Sequence, residues 1–415
     1  MKVSRFYTVI LAVLVAISLV CTYWVMFKPK QDKVDTTTIV TVAKNDKQIG
    51  AFFKPNQMLM YHNDTLQLTY EEESIDAFVN LLDHQKMTFS SDRVLSSADY
   101  LAFLSQKSAQ YIFPAPMTFQ IAKYLCNIDS GDKIEETFTR FVFVFSDSNT
   151  LYAVNDKTKH VYSFSLEKPM NYDTFYSLEQ KYRPSFFDVE AVQGKDTYYY
   201  VLSHNEIFKQ RMYLLEQINP TQYIKTLFGS TINLKNESTS TAYRYVNNQF
   251  DLTIGKDTGL VLSTQYRTFS TPQYLQTIAT QLDYFEKWPK RVLFAGQNGE
   301  TLHFRRYVAK LPIMDTVENF STTRLKVRQD GIITTMSSSY ILQTELSMKR
   351  KDIAMMSFQD MQEAFEQQDK SMADIDGVGI FYTIQPSKTK VITLVPEWYV
   401  FVNDTAKRLV DYLAE

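Results

Sequence analysis

The chain has 415 residues, with 44 Lys or Arg and 46 Asp or Glu, which gives a formal net charge of −2. A balance this close to neutral argues against a nucleic-acid partner, which requires a strongly basic face. Apolar residues make up 45% of the chain and exclude wholesale disorder, while only 11 glycines weaken any interpretation built on glycine-rich phosphate loops. The length predicts roughly two to four domains.

An uncharged segment of 22 residues, 6–27, lies close to the N-terminus. At about 1.5 Å per residue it would form a helix of on the order of 33 Å, enough for a hydrocarbon core of roughly 30 Å. A cleaved signal peptide is the competing interpretation. The segment is longer than a signal peptide requires, and it ends near Tyr23 and Trp24 rather than in a small-residue cleavage site. We therefore expect residues 1–28 to be an uncleaved membrane anchor, with 6–27 in the lipid bilayer.

Small residues follow one another at helical spacing within this anchor. Ala12 and Ala16 form a small-xxx-small pair, and Ser18 and Thr22 repeat the spacing. Small residues let two helices approach closely, and hydroxyl groups can hydrogen-bond across the contact. Pairs of this kind also occur by chance in many anchors. The four residues are the predicted site for a transmembrane partner.

Charge alone leaves the orientation of the anchor open. Lys2, Arg5 and the terminal amine precede the segment, whereas Lys28, Lys30 and Lys33 follow it. The positive-inside rule counts these two groups as nearly equal. The side of the membrane that holds the large remaining part of the chain is therefore not decided by these residues.

The chain beyond the anchor begins with a polar stretch, residues 29–48, which is predicted to be a tether. In the first predicted domain, 49–184, Ser74 is placed to cap a helix. The apolar face of that helix comprises Ile75, Phe78, Val79 and Leu82. From Thr137 onward the apolar residues alternate with a period of two, which predicts strands.

Two further domains are predicted, at 185–305 and 306–415, in which a helix is followed by hairpins. The predicted fold class is therefore α+β, with about three modules of antiparallel sheet, each covered by a helix. Helical segments are expected at 208–218, directly after Pro272, and at 358–367. Two dipeptides are typical of hairpin turns: Asn298-Gly299 and Asp330-Gly331.

Recognisable catalytic motifs are missing from the sequence. The five histidines are not paired at metal-ligand spacing. Asp257-Thr258-Gly259 lacks the second triplet of an aspartic protease, and a hairpin turn explains it better. Ser165-Leu166-Glu167-Lys168 lacks the companion motifs of a penicillin-binding enzyme. We therefore predict no catalytic residue, no metal site, no cofactor and no enzymatic activity.

Short motifs, individually weak, follow one another in a fixed order over most of the chain. They are Phe27-Lys28-Pro29, Ile112-Phe113-Pro114, Tyr223-Ile224-Lys225-Thr226-Leu227-Phe228, Arg305-Arg306-Tyr307-Val308, Leu311-Pro312-Ile313, Asp374-Ile375-Asp376-Gly377-Val378-Gly379-Ile380-Phe381-Tyr382 and Leu394-Val395-Pro396-Glu397-Trp398-Tyr399-Val400. In this order the motifs resemble the YycH family of membrane-anchored regulators. One departure is Gly229-Ser230, where the family pattern would place an Asp-Pro turn.

The resemblance implies a specific function. Members of the family regulate the WalK (YycG) sensor histidine kinase of low-GC Gram-positive bacteria, together with the partner YycI. It implies a single-pass protein of the cell membrane with a cytoplasmic N-terminus and extracytoplasmic domains. Binding to the kinase and to YycI would occur through the transmembrane helix and would adjust kinase activity and cell-wall homeostasis. The third predicted domain is similar to YycI.

Two other functions stay open on the sequence alone. One is an extracytoplasmic peptide- or lipid-binding module, or a chaperone-like one, whose aromatic sheets capture a ligand of unknown identity. The other is an envelope hydrolase whose active site carries no recognisable motif. A ligand-dependent rise in melting temperature would favour the first. Turnover that a single substitution abolishes would be needed for the second.

Overall fold

A computed structural model describes Val15, Ser18 and residues 49–415, apart from the gaps at 63, 84, 130–133, 135, 183–184, 229–233, 267–273, 316–318, 347–350, 386–389 and 404. The chain divides into two units, residues 1–40 and 41–415. Most of the predicted anchor lies outside the described residues. Among the helices that are described, none has both the length and the apolar character needed to cross a membrane.

The elements up to residue 202 alternate strands with short helices. In chain order they are a 3-10 helix (Ala51–Phe53), β1 (Gln57–His62), β2 (Thr65–Thr69), α1 (Glu72–Asp83), β3 (Met87–Val94), α2 (Ser97–Leu104), β4 (Ser108–Thr118), α3 (Phe119–Ala122), β5 (Ile128–Asp129), β6 (Thr137–Val144), β7 (Thr150–Asn155), β8 (His160–Leu166), α4 (Tyr172–Tyr182), β9 (Phe186–Gln193) and β10 (Tyr198–Leu202). Their ten strands form one sheet, the N-terminal sheet, in the order β10-β9-β2-β1-β4-β6-β7-β8-β3-β5. The pairing of β3 with β5 is parallel and the others are antiparallel.

The remaining elements belong to a second large sheet, to a separate two-stranded sheet and to helices. They are β11 (Ile207–Lys209), β12 (Arg211–Gln217), α5 (Pro220–Phe228), β13 (Lys235–Asn236), β14 (Ala242–Val246), β15 (Phe250–Gly255), β16 (Leu260–Tyr266), α6 (Tyr274–Phe285), β17 (Val292–Asn298), β18 (Thr301–Val308), β19 (Leu311–Met314), β20 (Thr322–Arg328), β21 (Gly331–Ser337), β22 (Ser339–Glu345), β23 (Asp352–Ala354), α7 (Phe358–Glu366), a 3-10 helix (Met372–Asp374), β24 (Gly377–Gln385), β25 (Val391–Val402), β26 (Thr405–Arg408) and α8 (Leu409–Ala414).

Fourteen of these strands form the C-terminal sheet, in the order β13-β14-β15-β16-β21-β20-β18-β19-β24-β25-β12-β22. Strand β17 pairs with β18, and β26 pairs with β25, while β11 and β23 form a separate two-stranded sheet. The C-terminal sheet combines strands from both the second and the third predicted domain. The predicted α+β class with antiparallel sheets is confirmed, and the domain boundaries stay predictions.

Local sequence signals account for several of these elements. Helix α1 confirms the predicted helix, but the prediction that Ser74 caps it is wrong, because the helix begins at Glu72 and Ser74 lies inside it. Carboxylates in its first turn complement the helix dipole. Helix α7 confirms the helix predicted from Phe358. It begins there because Ser357 and Asp360 form a reciprocal capping box. Hairpins form at both predicted turns, between β17 and β18 and between β20 and β21.

The prediction of a helix at 208–218 is wrong. These residues form β11 and β12, and β12 is inserted between β25 and β22. Tyr213 is buried there, and the guanidinium of Arg211 lies 2.6 Å from a carboxylate oxygen of Glu345 on β22. Strand pairing on both sides satisfies the backbone of β12 and outweighs a helix preference of a few tenths of a kcal/mol per residue, on the order given by peptide scales.

One hydrophobic core runs through both large sheets, with buried residues from Ile49 to Leu409. At the junction, the ring of Phe53 lies 5.5 Å from that of Phe294 and 5.9 Å from that of Phe304. The hydroxyl of Tyr199 on β10 donates to the carbonyl of Met372 at 2.7 Å. The N-terminal and C-terminal sheets therefore pack directly on each other.

Candidate functional site

The residues predicted to bind a transmembrane partner are mostly outside the described part of the chain. Ala12, Ala16 and Thr22 belong to the residues that the structure does not describe. Ser18 is described, as is Val15, and both are helical and exposed. The partner-binding role of these residues stays a prediction.

The triplet that resembles a protease loop has a purely conformational role. Asp257-Thr258-Gly259 connects β15 to β16, as the sequence predicted for a hairpin turn. Gly259 has a φ of 64°, and its amide donates to the carbonyl of Gly255 at 3.0 Å. A positive φ favours glycine at this position. Among the described residues, no group of three His, Cys, Asp or Glu side chains is arranged to hold a metal ion.

A cavity of about 220 Å³ lies between the two sheets and is partly open to solvent. On one side its walls come from β1, β4 and the residue that follows β2. On the other side they come from β17, β18, β19, β24 and β25. The cavity thus exists only because the N-terminal and C-terminal sheets pack together.

Four of the motifs that carry the family resemblance meet in this cavity. The lining residues that belong to these motifs are Phe113, Pro114, Arg305, Tyr307, Pro312, Val378, Gly379, Ile380 and Phe381. The sequence analysis found the motifs but did not predict that they would form one site. The signal that could have indicated a site was the placement of a charged residue in an otherwise apolar strand, at Arg305 and Arg306 in β18.

The two arginines of β18 point to opposite faces of the sheet, since side chains alternate along a strand. Arg306 is fully engaged: its guanidinium lies 2.8 Å from a carboxylate oxygen of Glu286 and donates to the carbonyls of Phe320, Ser337 and Ser339. Only 1% of its side chain is exposed. Arg306 is therefore a structural residue of the core.

Arg305 has very different surroundings. Its Nε atom is buried and has no hydrogen-bond partner among the residues described. Its Nη1 contacts the sulfur of Met314, a weak acceptor, and the guanidinium lies 5.9 Å from the ring centre of Phe381. Burial lowers the pKa of this guanidinium, because the charged form loses hydration. Arg305 therefore brings a cation to the cavity whose Nε–H has no hydrogen-bond partner in the described structure, while the Asp315 carboxylate acts on the guanidinium electrostatically.

Tyr307 lies on the same face of β18 as Arg305 and is held from several sides. The indole N–H of Trp288 donates to its carbonyl at 2.8 Å, and the guanidinium of Arg291 lies 5.5 Å from its ring centre. Its hydroxyl accepts a hydrogen bond of 3.3 Å from the side-chain amide of Asn56. Burial raises the pKa of Tyr307, so the phenol keeps its proton and remains a donor.

Asn56 completes the polar part of the cavity from the N-terminal sheet. Its backbone amide donates to the carbonyl of Ile112 at 3.0 Å, which fixes its position beside β4. Asn56 is 7% exposed, and its Oδ1 atom has no hydrogen-bond partner within the described structure. A half-buried cation, a phenol and an amide side chain thus line one small space.

Taken together, these features define the class of the protein as a two-sheet α+β protein with a cavity at the sheet junction. Residues 4–181 match the family model "YycH protein, N-terminal domain". The fold is similar to the crystal structure of YycH from Bacillus subtilis, with a TM-score of 0.68 at 12% identity, covering 87% of this chain and 96% of that one. Residues 4–181 therefore match the N-terminal domain of YycH proteins, and the chain has the YycH fold over most of its length.

Other comparisons add little. An uncharacterized protein from Eubacterium rectale ATCC 33656 aligns with a TM-score of 0.34 and 11% identity, covering 54% of this chain and 88% of its own, too weak a likeness to support any argument. No curated protein matches the sequence.

Proposed function

We propose that this chain is a membrane-anchored, non-enzymatic accessory regulator of a two-component sensor kinase. The observation that carries the proposal is the match of residues 4–181 to the YycH N-terminal domain, together with the YycH fold of the rest. The matched range includes the uncharged segment 6–27, so the family model covers the predicted anchor as well as the first predicted domain. The family is one of regulatory accessory proteins rather than of enzymes.

The proposed location is the cell membrane, crossed once by residues 6–27, with a cytoplasmic N-terminus and extracytoplasmic domains. The length and hydropathy of the segment support an anchor, and the family resemblance supports the orientation. Protease added to intact cells from which the wall has been removed should cleave the chain beyond residue 28. Full protection of that region, with cleavage only after lysis, would contradict the proposal.

The proposed partners are the WalK (YycG) sensor kinase and YycI, bound through the transmembrane helix. A regulator needs only to bind one kinase conformation more tightly than the other. A difference of about 1–3 kcal/mol would change the populations by roughly 5–150-fold, which is sufficient to adjust kinase output. Small residues on the anchor would permit the close helix contact that such selectivity requires.

The deciding experiment is co-purification from crosslinked membranes. Wild-type chain should bring down the kinase and YycI, and a chain whose residues 6–27 are replaced by an unrelated membrane helix should lose both. Retention of the kinase by the replaced helix would assign recognition to the domains beyond the anchor. Absence of the kinase from both samples would overturn the regulator proposal.

A second candidate function is an extracytoplasmic ligand-binding module, for a peptide or a lipid. The observation that favours it is the cavity between the sheets, with the unpartnered Nε–H of Arg305. A ligand that binds the folded chain raises its melting temperature by mass action. The two functions are compatible, because a regulator whose domains bind a ligand can respond to that ligand.

A further inference from the structure

We propose that the cavity between the sheets binds an acylamino carboxylate, a molecule in which a carboxylate group is flanked by an amide N–H and a small apolar side chain. Two sources supply this chemistry: a free N-acyl amino acid and the C-terminal residue of a peptide. The inference goes beyond the proposed function, because it depends on the side chains of the cavity and not on any contact with a kinase.

The charge of the ligand follows from the lining of the cavity. Arg305 is the one charged side chain among the described lining residues. The buried Nε–H of Arg305 has no hydrogen-bond partner in the described structure, which is costly, and a carboxylate matches the planar set of guanidinium donors with two parallel hydrogen bonds. A doubly charged phosphate would require a second cation, which the described lining lacks. The ligand is therefore a monoanion.

The arrangement of Tyr307 and Asn56 defines what lies beside the carboxylate. Tyr307 and Arg305 occupy positions two apart on β18, so both side chains reach the cavity from the same face. The phenol accepts from Asn56 and keeps its own proton free to donate to a carboxylate oxygen. The free Oδ1 of Asn56 then requires a donor, which the amide N–H next to the carboxylate supplies.

The volume and the apolar walls limit the size of the ligand. A cavity of about 220 Å³ suits a ligand of the size of one small amino-acid residue with its acyl group. Phe113, Ile380 and Phe381 line the space and favour an apolar side chain. Because the cavity is partly open, a longer chain can extend from the acyl group into solvent.

The test is calorimetric titration of the full-length chain in detergent micelles with N-acetyl-alanine. Its primary amide keeps the shape of the ligand and removes the charge. We expect saturable binding of the acid, with the amide at least about 10-fold weaker. Arg305→Gln should weaken the acid by the same factor, and Tyr307→Phe by several-fold. Arg328→Gln, on an exposed residue at the end of β20, is the matched control and should bind like wild type.

The melting temperature of each variant without ligand checks its folding. If Arg305→Gln fails to fold, two tests of the proposal remain. They are the Tyr307→Phe variant and the comparison of the acid with its amide on the wild-type chain. The assignment is overturned by absence of saturable binding up to about 10 mM, by equal affinity of the acid and its amide, or by acetate and inorganic phosphate binding as tightly as the acylamino acid.

A second titration distinguishes the two sources. A tetrapeptide with a free C-terminal alanine should bind about as well as N-acetyl-alanine if the site takes chain ends, and should fail if it takes only the free small molecule. Either result retains the acylamino carboxylate. If the chain binds no acylamino carboxylate but still co-purifies with the kinase, only the present inference is overturned. If it binds the ligand but does not co-purify with the kinase, only the proposed function is overturned.

Discussion

Arg306 and Glu286 form an ion pair of 2.8 Å inside the C-terminal sheet, where their side chains are 1% and 4% exposed. The carboxylate also accepts a hydrogen bond of 2.6 Å from Thr323, and the guanidinium lies 4.8 Å from the ring centre of Trp288. The pair thus connects the segment after α6 with β18 and β20. Removing one partner would leave the other charged and buried.

Glu286→Gln should destabilise the protein by about 3–5 kcal/mol, because the charge of Arg306 loses its counter-ion in a buried site. Urea unfolding of the full-length chain in detergent, followed by tryptophan fluorescence, measures the change. Glu300→Gln removes a carboxylate that is 65% exposed and lies 3.9 Å from Lys326, so it serves as the control and should leave the midpoint unchanged. Equal effects of the two substitutions would refute the structural role of the pair.

A second buried pair gives the stability a defined dependence on pH. Burial alone would raise the pKa of Asp156, but the guanidinium of Arg140 at 2.8 Å and hydrogen bonds from Tyr100 and Thr139 lower it below its ordinary value. A carboxyl whose pKa is lower in the folded than in the unfolded state stabilises the fold above the unfolded pKa of about 3.9. That contribution is lost as the pH falls through the folded value.

We therefore expect the free energy of unfolding to decrease as the pH is lowered from about 5 to about 2, and Asp156→Asn to remove part of this decrease. The substitution should also weaken the fold at neutral pH, since Arg140 remains buried without its carboxylate. Unfolding curves of both chains at a series of pH values make the comparison. An identical slope with pH in the two chains would show that other carboxyls control the acid response.

Packing at the junction predicts how the two sheets unfold. Phe53→Ala removes a ring that contacts Phe294 and Phe304 and should cost about 3–5 kcal/mol. Because the two sheets share one core, we expect a single transition at a lower temperature in calorimetry of the full-length chain. Val410→Ala, at a side chain that is 60% exposed, is the control. Two separated transitions in the wild-type chain would contradict a common core.

The predicted anchor can be tested with substitutions that keep it apolar. Ala12→Leu combined with Ala16→Leu enlarges the small-residue face and should reduce the amount of kinase recovered from crosslinked membranes by several-fold. Val13→Leu combined with Ile17→Leu has the same spacing on another face of the helix and is the matched control. Similar recovery of the kinase with both pairs would show that the small-residue face does not recognise it. Immunoblots of the membrane fraction verify that each variant inserts into the membrane.

Local signals in the sequence predicted some elements better than others. The helix from Phe358 was predictable because its capping box and its apolar spacing lie within a few residues. The β17–β18 hairpin was predictable because Asn298-Gly299 specifies its turn. Strand β12 was not, because what makes it a strand is pairing with β22 and β25, which lie far along the chain.

The candidate site illustrates the same limit more strongly. The hydrogen bond between Asn56 and Tyr307 joins residues that are 251 positions apart. The motif around Arg305 was visible in the sequence, yet nothing local distinguishes the core residue Arg306 from the cavity residue Arg305. Only the pairing of β18 with its neighbours and the packing of the two sheets determine which arginine finds a carboxylate.

The position of β12 affects the order in which the polypeptide can mature. During synthesis this strand emerges directly after the N-terminal sheet, but its neighbours β22 and β25 emerge much later. Until then both of its hydrogen-bonding edges lack their final partners, and an unpaired strand is an aggregation hazard. Nascent chains stalled before β25 should therefore depend on a chaperone, and truncation of the last strands should damage the molecule far more than their distance from β12 in the sequence suggests.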